Sequence, residues 1–205
     1  MSLLALTCTT ATLHTLAQYI AAERGDTCLP NGTCTASLPD VLHELTEQPG
    51  VKKRWAALSE CILLTALLLA ASQQRVKHVL LLCNFAFILR SLCMMVTSLP
   101  DASQCCVVRL GVDSSGKTGS CHDLMFSGHM TVTTIALLVA VRTNPSLLPV
   151  VLPLLLTQTF AIPLSHNHYT IDVVIALLVA LLLTLVVPPP THVYMHNLSM
   201  RQRKA

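Results

Sequence analysis

The sequence predicts an all-α integral membrane protein with six transmembrane helices. Of its 205 residues, 53% are hydrophobic and only 11% are charged, and the mean hydropathy is +0.63. A soluble domain carries roughly 25% charged residues. Five segments also approach the roughly 20 apolar residues that a membrane span needs. Together these observations favour a helical bundle in a bilayer over a soluble domain.

The first span is predicted from a weaker segment, residues 2–20, which is rich in threonine and carries His14. A cleaved signal sequence is the alternative, but the segment lacks a basic n-region and a clear cleavage site. The other five spans are predicted at about 55–73, 78–99, 124–142, 147–164 and 170–187.

The last span should end before Pro188-Pro189-Pro190, since consecutive prolines lack the N–H groups of a helix. We therefore expect two parts, a six-helix catalytic domain at 1–187 and a short basic cytosolic tail at 188–205.

Six spans place the connections at 21–54, 100–123 and 165–169 on the membrane face opposite the termini. Basic residues do not orient the bundle by the positive-inside rule, because six fall on each side. Those on the terminal side are Arg75, Lys77, Arg142, Arg201, Arg203 and Lys204; those on the other are Arg24, Lys52, Lys53, Arg54, Arg109 and Lys117.

The net charge of +3 and the lack of a basic run with interleaved aromatics argue against nucleic-acid binding. The nine cysteines contain no CxxC spacing, so a structural metal site is not indicated. Those in the polar connections allow one or two disulfides if these face an oxidising lumen, where the sequon at Asn31 would also lie.

Two polar islands, residues 121–129 and 165–172, lie where apolar segments meet water on that same face. His168 and Asp172 are four residues apart at a predicted helix start, so their side chains share one face. A carboxylate that holds one imidazole nitrogen leaves the other free to attack phosphorus. His129 from another helix would then serve as general acid and base.

Further residues are predicted to steady the phosphoryl oxygens: Arg90, Ser127 and the backbone near Gly128. The roles of Glu60, within a span, and His122 stay open. His14, His43, His78, His192 and His196 are interpreted as interfacial histidines. A metal site from His122, His129, His166 and Asp123 is an alternative, but phosphohistidine chemistry needs no metal, so we expect no cofactor.

At these residues the chain resembles the sphingomyelin synthase family of the lipid phosphate phosphatase (PAP2) superfamily. The family motif C-G-D-x-x-x-S-G-H corresponds to 121–129, with His122 in place of glycine, and H-Y-T-x-D-V corresponds to 168–173. R-x-x-x-M-x-V-T-x-L-P corresponds to 90–100, and Leu38-Pro39-Asp40 resembles the core of a further motif.

The resemblance implies a lumenal or extracellular active site in the Golgi or plasma membrane, with His168 as nucleophile, Asp172 as its orienting partner and His129 as acid and base. It implies transfer of a head group, phosphocholine from phosphatidylcholine above all, to the primary hydroxyl of ceramide, with release of diacylglycerol. Asp123 and Tyr169 join Arg90, Ser127 and Gly128 as expected substrate contacts. The expected partners are membrane lipids, and a homo-oligomer is left open.

Three alternatives remain at this point. The donor can be phosphatidylethanolamine or phosphatidylinositol, or the acceptor diacylglycerol, because the triad handles only the phosphoryl group. A lipid phosphate phosphatase would use a similar histidine and carboxylate with water as acceptor, although Asn167 stands where such enzymes carry arginine. A non-catalytic lipid-binding protein would not need all three triad residues.

Overall fold

Seven α-helices make up most of the computed structural model, which describes residues 2–25, 38–45, 48–97, 111–112, 118–119 and 125–187. A single 3₁₀ turn, Pro145–Leu147, and two paired strands of two residues each, Gly111–Val112 and Thr118–Gly119, complete the described structure. The helices are α1 (Leu3–Gly25), α2 (Val41–Glu44), α3 (Pro49–Ser72), α4 (Val76–Val96), α5 (Gly128–Thr143), α6 (Leu148–Leu164) and α7 (Thr170–Val186).

Each predicted apolar segment forms a helix, and the boundaries differ by a few residues. The largest differences are at α3, which begins at Pro49 rather than 55, at α1, which ends at Gly25 rather than 20, and at α5, which begins at Gly128 rather than 124. At α5 the reason is local: Phe126 has a positive φ of 20°, and the extended Ser127 then caps the helix. A side chain that accepts a first-turn N–H is a strong helix start signal.

Three helical stretches are long and apolar enough to cross a membrane: Gly50–Ser72, Val76–Val96 and Pro145–Leu164. The helices α5 and α7 are apolar but shorter. The helical class and the membrane character are therefore confirmed, whereas the number of six spans stays a prediction. The predicted tail at 188–205 lies outside the described residues.

Helix α5 lies at the centre of the bundle and packs against α3, α4, α6 and α7, while α1 packs along α4. Its small and β-branched side chains let the neighbouring helices approach closely, as is common in membrane bundles. Residues buried on it include Thr131, Thr134, Ala136, Val139 and Ala140.

A polar contact inside the bundle joins three helices. The Gln158 amide of α6 donates to Ser59 Oγ of α3 at 3.1 Å and to Thr133 Oγ1 of α5 at 3.4 Å. Side-chain hydrogen bonds of this kind hold membrane helices in register. The contact fixes α3 beside α5 one residue before Glu60, which enters the site described next.

Candidate active site

The predicted histidine lies just before α7, and the predicted carboxylate lies in the first turn of that helix. His168 Nδ1 lies 3.7 Å from Asp172 Oδ2, which is ion-pair range but longer than a hydrogen bond. The same Oδ2 accepts the Tyr169 N–H at 3.2 Å, and only 1% of the Asp172 side chain is exposed. The carboxylate is thus fixed by the helix start and faces the imidazole of the preceding turn.

The start of α5 is hydrogen-bonded directly to the start of α7. The Ser127 N–H donates to the Asp172 carbonyl oxygen at 3.2 Å. Ser127 Oγ caps α5 by accepting the Met130 N–H at 3.3 Å, and the side chain is fully buried. The two polar islands therefore meet at one end of the bundle, and the hydroxyl predicted to steady phosphoryl oxygens serves as a helix cap.

His129, in the first turn of α5, contacts a carboxylate that the sequence left without a role. Its Nε2 lies 2.9 Å from Glu60 Oε1, on α3. Because a carboxylate only accepts, Nε2 is the protonated nitrogen when the ring is neutral. The His129 and Glu60 side chains are 43% and 63% exposed, so the pair lies at the open surface of the site.

The buried Arg90 of α4 donates hydrogen bonds to a backbone carbonyl and to a histidine. Its Nε donates to the Phe126 carbonyl oxygen at 2.8 Å, and its Nη1 donates to His14 Nε2 at 3.0 Å. His14 Nδ1 then donates to Ser91 Oγ at 3.2 Å. The guanidinium therefore holds the turn that leads into Ser127, and the interpretation of His14 as merely interfacial is replaced by a role in that network.

Gly128 is the first residue of α5, where a side chain would meet an aromatic ring. A Cβ built on Gly128 would lie 3.4 Å from Phe87 Cζ, on α4. An added Cβ would thus make an ordinary van der Waals contact with the ring of Phe87, which lies beside the Gly128 Cα.

The segment Leu38–Leu45 closes over the start of α7 through Asp40. Asp40 Oδ2 accepts the Thr170 N–H at 2.6 Å, and Oδ1 accepts the Thr170 hydroxyl at 2.8 Å and the Leu42 N–H at 3.0 Å. One carboxylate thus caps α2 and the distant α7. The segment that resembles a family motif therefore belongs to the same site as His168.

Two further contacts from the same segment reach the two residues just before α7. His43 Nε2 donates to the His168 carbonyl oxygen at 3.0 Å, and the Tyr169 hydroxyl accepts the Leu38 N–H at 3.0 Å. The His43 ring also stacks on His166, with ring centroids 4.3 Å apart. His43 is buried, so its interpretation as an interfacial residue is wrong.

The surroundings of Asp40 favour its charged form. Burial by itself would raise the pKa of Asp40, but the N–H and hydroxyl of Thr170, the nearby His43 and the Leu42 N–H together hold the pKa below its ordinary value of 3.8. A carboxylate that accepts several hydrogen bonds is stabilised in this way. The cap on α7 is therefore ionised at neutral pH.

The structure brings His168, Asp172, Tyr169, Ser127, Gly128, His129 and Arg90 to one end of the bundle. His122 and Asp123 lie outside the described residues, as do Asn31 and the cysteines of the long connections. Within the described part of the chain, no three histidine, cysteine, aspartate or glutamate side chains are grouped to hold a metal ion. Sequence reasoning missed Asp40 and His43 as contacts of α7; for Glu60, a carboxylate in an apolar span was the available signal.

The chain is similar to one class of membrane enzymes. Residues 120–188, which contain the start of α5 and the whole of α7, match the family model described as PAP2 superfamily C-terminal. His129, His168 and Asp172 all lie in this matched stretch.

A relative from Caenorhabditis elegans narrows this class. The protein, named "Putative phosphatidylcholine:ceramide cholinephosphotransferase 3", is 29% identical over 175 residues, which cover 68% of this chain and 50% of the relative. The chain thus spans about half the length of the curated relative that it matches. Together the two matches support a sphingomyelin synthase-like PAP2 family, as the sequence motifs predict.

Proposed function

We propose that the protein is a phosphotransferase that moves phosphocholine from phosphatidylcholine to the primary hydroxyl of ceramide. The observation that carries the proposal is the hydrogen-bonded meeting of two helix starts, one bearing His168 and Asp172 and the other bearing His129. One helix start supplies the nucleophile and the other supplies the general acid and base that a double displacement at phosphorus needs. The family match and the relative's name support the same reaction class.

In the first step, His168 Nε2 attacks the phosphorus of the donor. A bond from nitrogen to phosphorus forms, and the bond from phosphorus to the diacylglycerol oxygen breaks. His129 gives a proton to that leaving oxygen. Asp172, which lies 3.7 Å from His168 Nδ1, stabilises the positive charge that develops on the ring.

In the second step, His129 removes the proton from the ceramide hydroxyl. The ceramide oxygen attacks phosphorus, the bond to His168 breaks, and the phosphosphingolipid leaves. Because Nε2 of His129 contacts Glu60, we assign the proton exchange to Nδ1, with the Glu60 carboxylate holding the ring and balancing its charge.

The N–H groups in the first turn of α5 supply positive potential for the phosphoryl oxygens. A helix start leaves such groups without a carbonyl partner inside the helix and is a common phosphate site. In this scheme Ser127 and Arg90 build the turn that presents these groups, while Gly128, Asp123 and Tyr169 stay predicted contacts of the lipids.

The proposal includes the setting of the site. We propose six membrane helices within residues 1–187, with the site on the lumenal or extracellular face of the Golgi or plasma membrane. Ceramide and a glycerophospholipid then reach the site from the same leaflet. A homo-oligomer is compatible with this arrangement.

The test is head-group transfer in membranes that contain the expressed protein. Labelled short-chain ceramide is supplied with phosphatidylcholine, phosphatidylethanolamine or phosphatidylinositol in turn. We expect labelled phosphosphingolipid with phosphatidylcholine and none from His168→Ala. The matched control is His166→Asn, which removes a neighbouring imidazole; asparagine tolerates the positive φ of 59° at that position.

Each alternative has its own result. Product from another donor would reassign the head group, and transfer only to diacylglycerol would reassign the acceptor. Release of water-soluble phosphate or phosphocholine with no transfer to either acceptor would make the protein a hydrolase. Full transfer by His168→Ala would contradict the proposed nucleophile.

A further inference from the structure

A second cluster of basic side chains lies at the opposite end of the bundle from the candidate active site. Arg75 precedes α4, His78 is in the first turn of α4, and Arg142 is near the end of α5. Arg75 Nε donates to Thr143 Oγ1 at 3.2 Å, and Arg142 Nη1 donates to the Thr184 carbonyl oxygen of α7. These contacts bring Arg75 and Arg142 to adjoining helix ends. The His78 N–H donates to the Arg75 carbonyl oxygen at 3.0 Å, so His78 lies beside Arg75 at the same end of α4.

Two of the three side chains are buried with unmet bonding capacity. Arg75 is 8% exposed, and within the described residues its guanidinium has one hydrogen bond, to Thr143, and no carboxylate within 4.0 Å. His78 is 6% exposed, and its Nδ1 has no hydrogen-bond partner in that part of the chain. Buried charges are normally paired and buried polar atoms normally bonded, so both side chains have bonding capacity for an anionic group.

The chain offers little at this end to neutralise the cluster. The sequence has no aspartate or glutamate from residue 61 to 100 or from 124 to 171. The carboxylates of Asp40, Glu60 and Asp172 belong to the candidate active site, at the opposite end of the bundle from this cluster. The N–H groups of Val76 and Lys77, which open α4, add further positive potential, because a helix start leaves such groups without carbonyl partners inside the helix.

We propose that Arg75, His78 and Arg142 bind the phosphate of an anionic phospholipid. Val76–Val96 is long and apolar enough to span a membrane, and Arg75 comes directly before it, at the level where lipid head groups lie. A guanidinium binds phosphate through two parallel hydrogen bonds, and basic pockets between helices are typical head-group sites. Arg142 is exposed, so a lipid head group can reach the cluster, and the site is separate from the proposed reaction.

The experiment measures thermal unfolding of the purified full chain in a neutral detergent. The midpoint is followed while dioctanoyl phosphatidic acid, dioctanoyl phosphatidylcholine or inorganic phosphate is added. We expect a saturable rise with phosphatidic acid that phosphatidylcholine does not reproduce. Inorganic phosphate should need at least about tenfold higher concentration, since it lacks the acyl chains that hold a lipid at the bundle.

Arg75→Met should weaken the response to phosphatidic acid by about tenfold or more, since the bidentate phosphate contact is lost. Without lipid, its midpoint should equal or exceed that of the wild type, because an unpaired buried charge is removed. Arg142→Gln, at an exposed position, should weaken the response as well. Lys77→Met is the matched control, because Lys77 is exposed and lies outside the cluster, and it should respond like the wild type.

Several results would overturn the proposal. A wild type that does not respond to phosphatidic acid has no such site, and equal potency of inorganic phosphate would assign the site to a free anion. An undiminished response in both Arg75→Met and Arg142→Gln would exclude these side chains as ligands. An equal loss in Lys77→Met would mean diffuse attraction, and a lower lipid-free midpoint for Arg75→Met would make Arg75 structural.

Discussion

The two histidines of the candidate site are paired with carboxylates in different surroundings. His168, just before α7, is buried and faces Asp172 in the first turn of α7, 3.7 Å away, while His129 is half exposed and contacts Glu60 from another helix at 2.9 Å. A buried, locally held imidazole suits a nucleophile that must keep one orientation. An imidazole at the open surface suits proton exchange with two different lipid oxygens.

Replacing the Glu60 carboxylate tests this division of roles. Glu60→Gln keeps an oxygen for the His129 N–H but removes the charge that balances the protonated ring, so kcat should fall about tenfold or more. Glu44→Gln, the same change at an exposed position of α2, should leave the rate unchanged. Equal rates for Glu60→Gln and the wild type in the transfer assay would remove Glu60 from the mechanism.

Arg90 offers a test that separates positioning from substrate binding. The single ammonium nitrogen of a lysine does not reproduce the separate Nε and Nη1 contacts with the Phe126 carbonyl and His14, so Arg90→Lys should displace the turn before Ser127. We expect kcat to fall about tenfold with little change in KM for the donor, because only the geometry of the reacting groups changes. The exposed Arg54→Lys serves as control. A rise in KM with unchanged kcat would instead show a direct contact with the head group.

At the scale of elements, the site is an assembly of helix starts. The N–H of Ser127 at α5 bonds the carbonyl of Asp172 in α7, and Asp40 from before α2 caps α7 through Thr170. Each first turn presents N–H groups that attract negative charge. The carboxylates of Asp40 and Asp172 and the carbonyl of Asp172 hold these helix starts in place. The helix starts in turn position the imidazoles of the candidate site.

Removing the Asp40 charge should loosen this assembly. We expect Asp40→Asn to lower the free energy of unfolding by about 1 kcal/mol, as for other lost charge-assisted caps. It should also lower transfer, because His168 is two residues before Thr170. Thr170→Val, which removes the hydroxyl contact and keeps the N–H contact, should have a smaller effect. Wild-type stability and rate in Asp40→Asn would mean that the cap is dispensable.

The Asp40 cap also makes the stability of the protein depend on pH. The pKa of Asp40 in the folded protein is held below its ordinary value of 3.8, so its contribution to stability is present above that value and is lost as the pH falls through the folded pKa. The difference in unfolding free energy between wild type and Asp40→Asn should stay constant from about pH 7 to about pH 5 and shrink only in stronger acid. If the difference in unfolding free energy disappeared near pH 6, the pH dependence would belong to a group other than Asp40.

The sequence predicts the local parts of this arrangement better than the distant ones. Apolar runs locate every main helix, and the spacing of His168 and Asp172 places both on one face because a helix fixes that relation. The contact of Glu60 with His129 spans 69 residues, and that of Asp40 with Thr170 spans 130. Such contacts depend on how whole helices pack, for which the pattern of one segment carries no signal.

At the scale of the whole molecule, the bundle separates two polar ends around the central α5. One end holds the histidines and carboxylates of the candidate active site, and the other holds Arg75, His78 and Arg142. Helices α3, α5 and α7 run from the active-site end toward the basic end, and α1, α4 and α6 run the opposite way. We propose that each of these six helices crosses the membrane. The account therefore predicts that the two ends lie on opposite sides of the bilayer.

Engineered cysteines test this prediction in intact cells and sealed Golgi vesicles. Val41→Cys lies on the exposed face of α2 beside the active site, and Ser146→Cys lies in the exposed turn between α5 and α6. A membrane-impermeant maleimide should label Val41→Cys from the lumenal or extracellular side and Ser146→Cys only from the cytosolic side, above the background of the unmodified chain. Labelling of both from one side would contradict the membrane arrangement.

The covalent intermediate on His168 tests the central claim most directly. The protein is incubated with phosphatidylcholine labelled in its phosphate, without acceptor, and the trapped label is located by mass spectrometry. We predict an acid-labile phosphocholine group on His168, absent from His168→Ala and present in His166→Asn, that is transferred when ceramide is added. Label on another residue, or product formed by His168→Ala, would contradict the account.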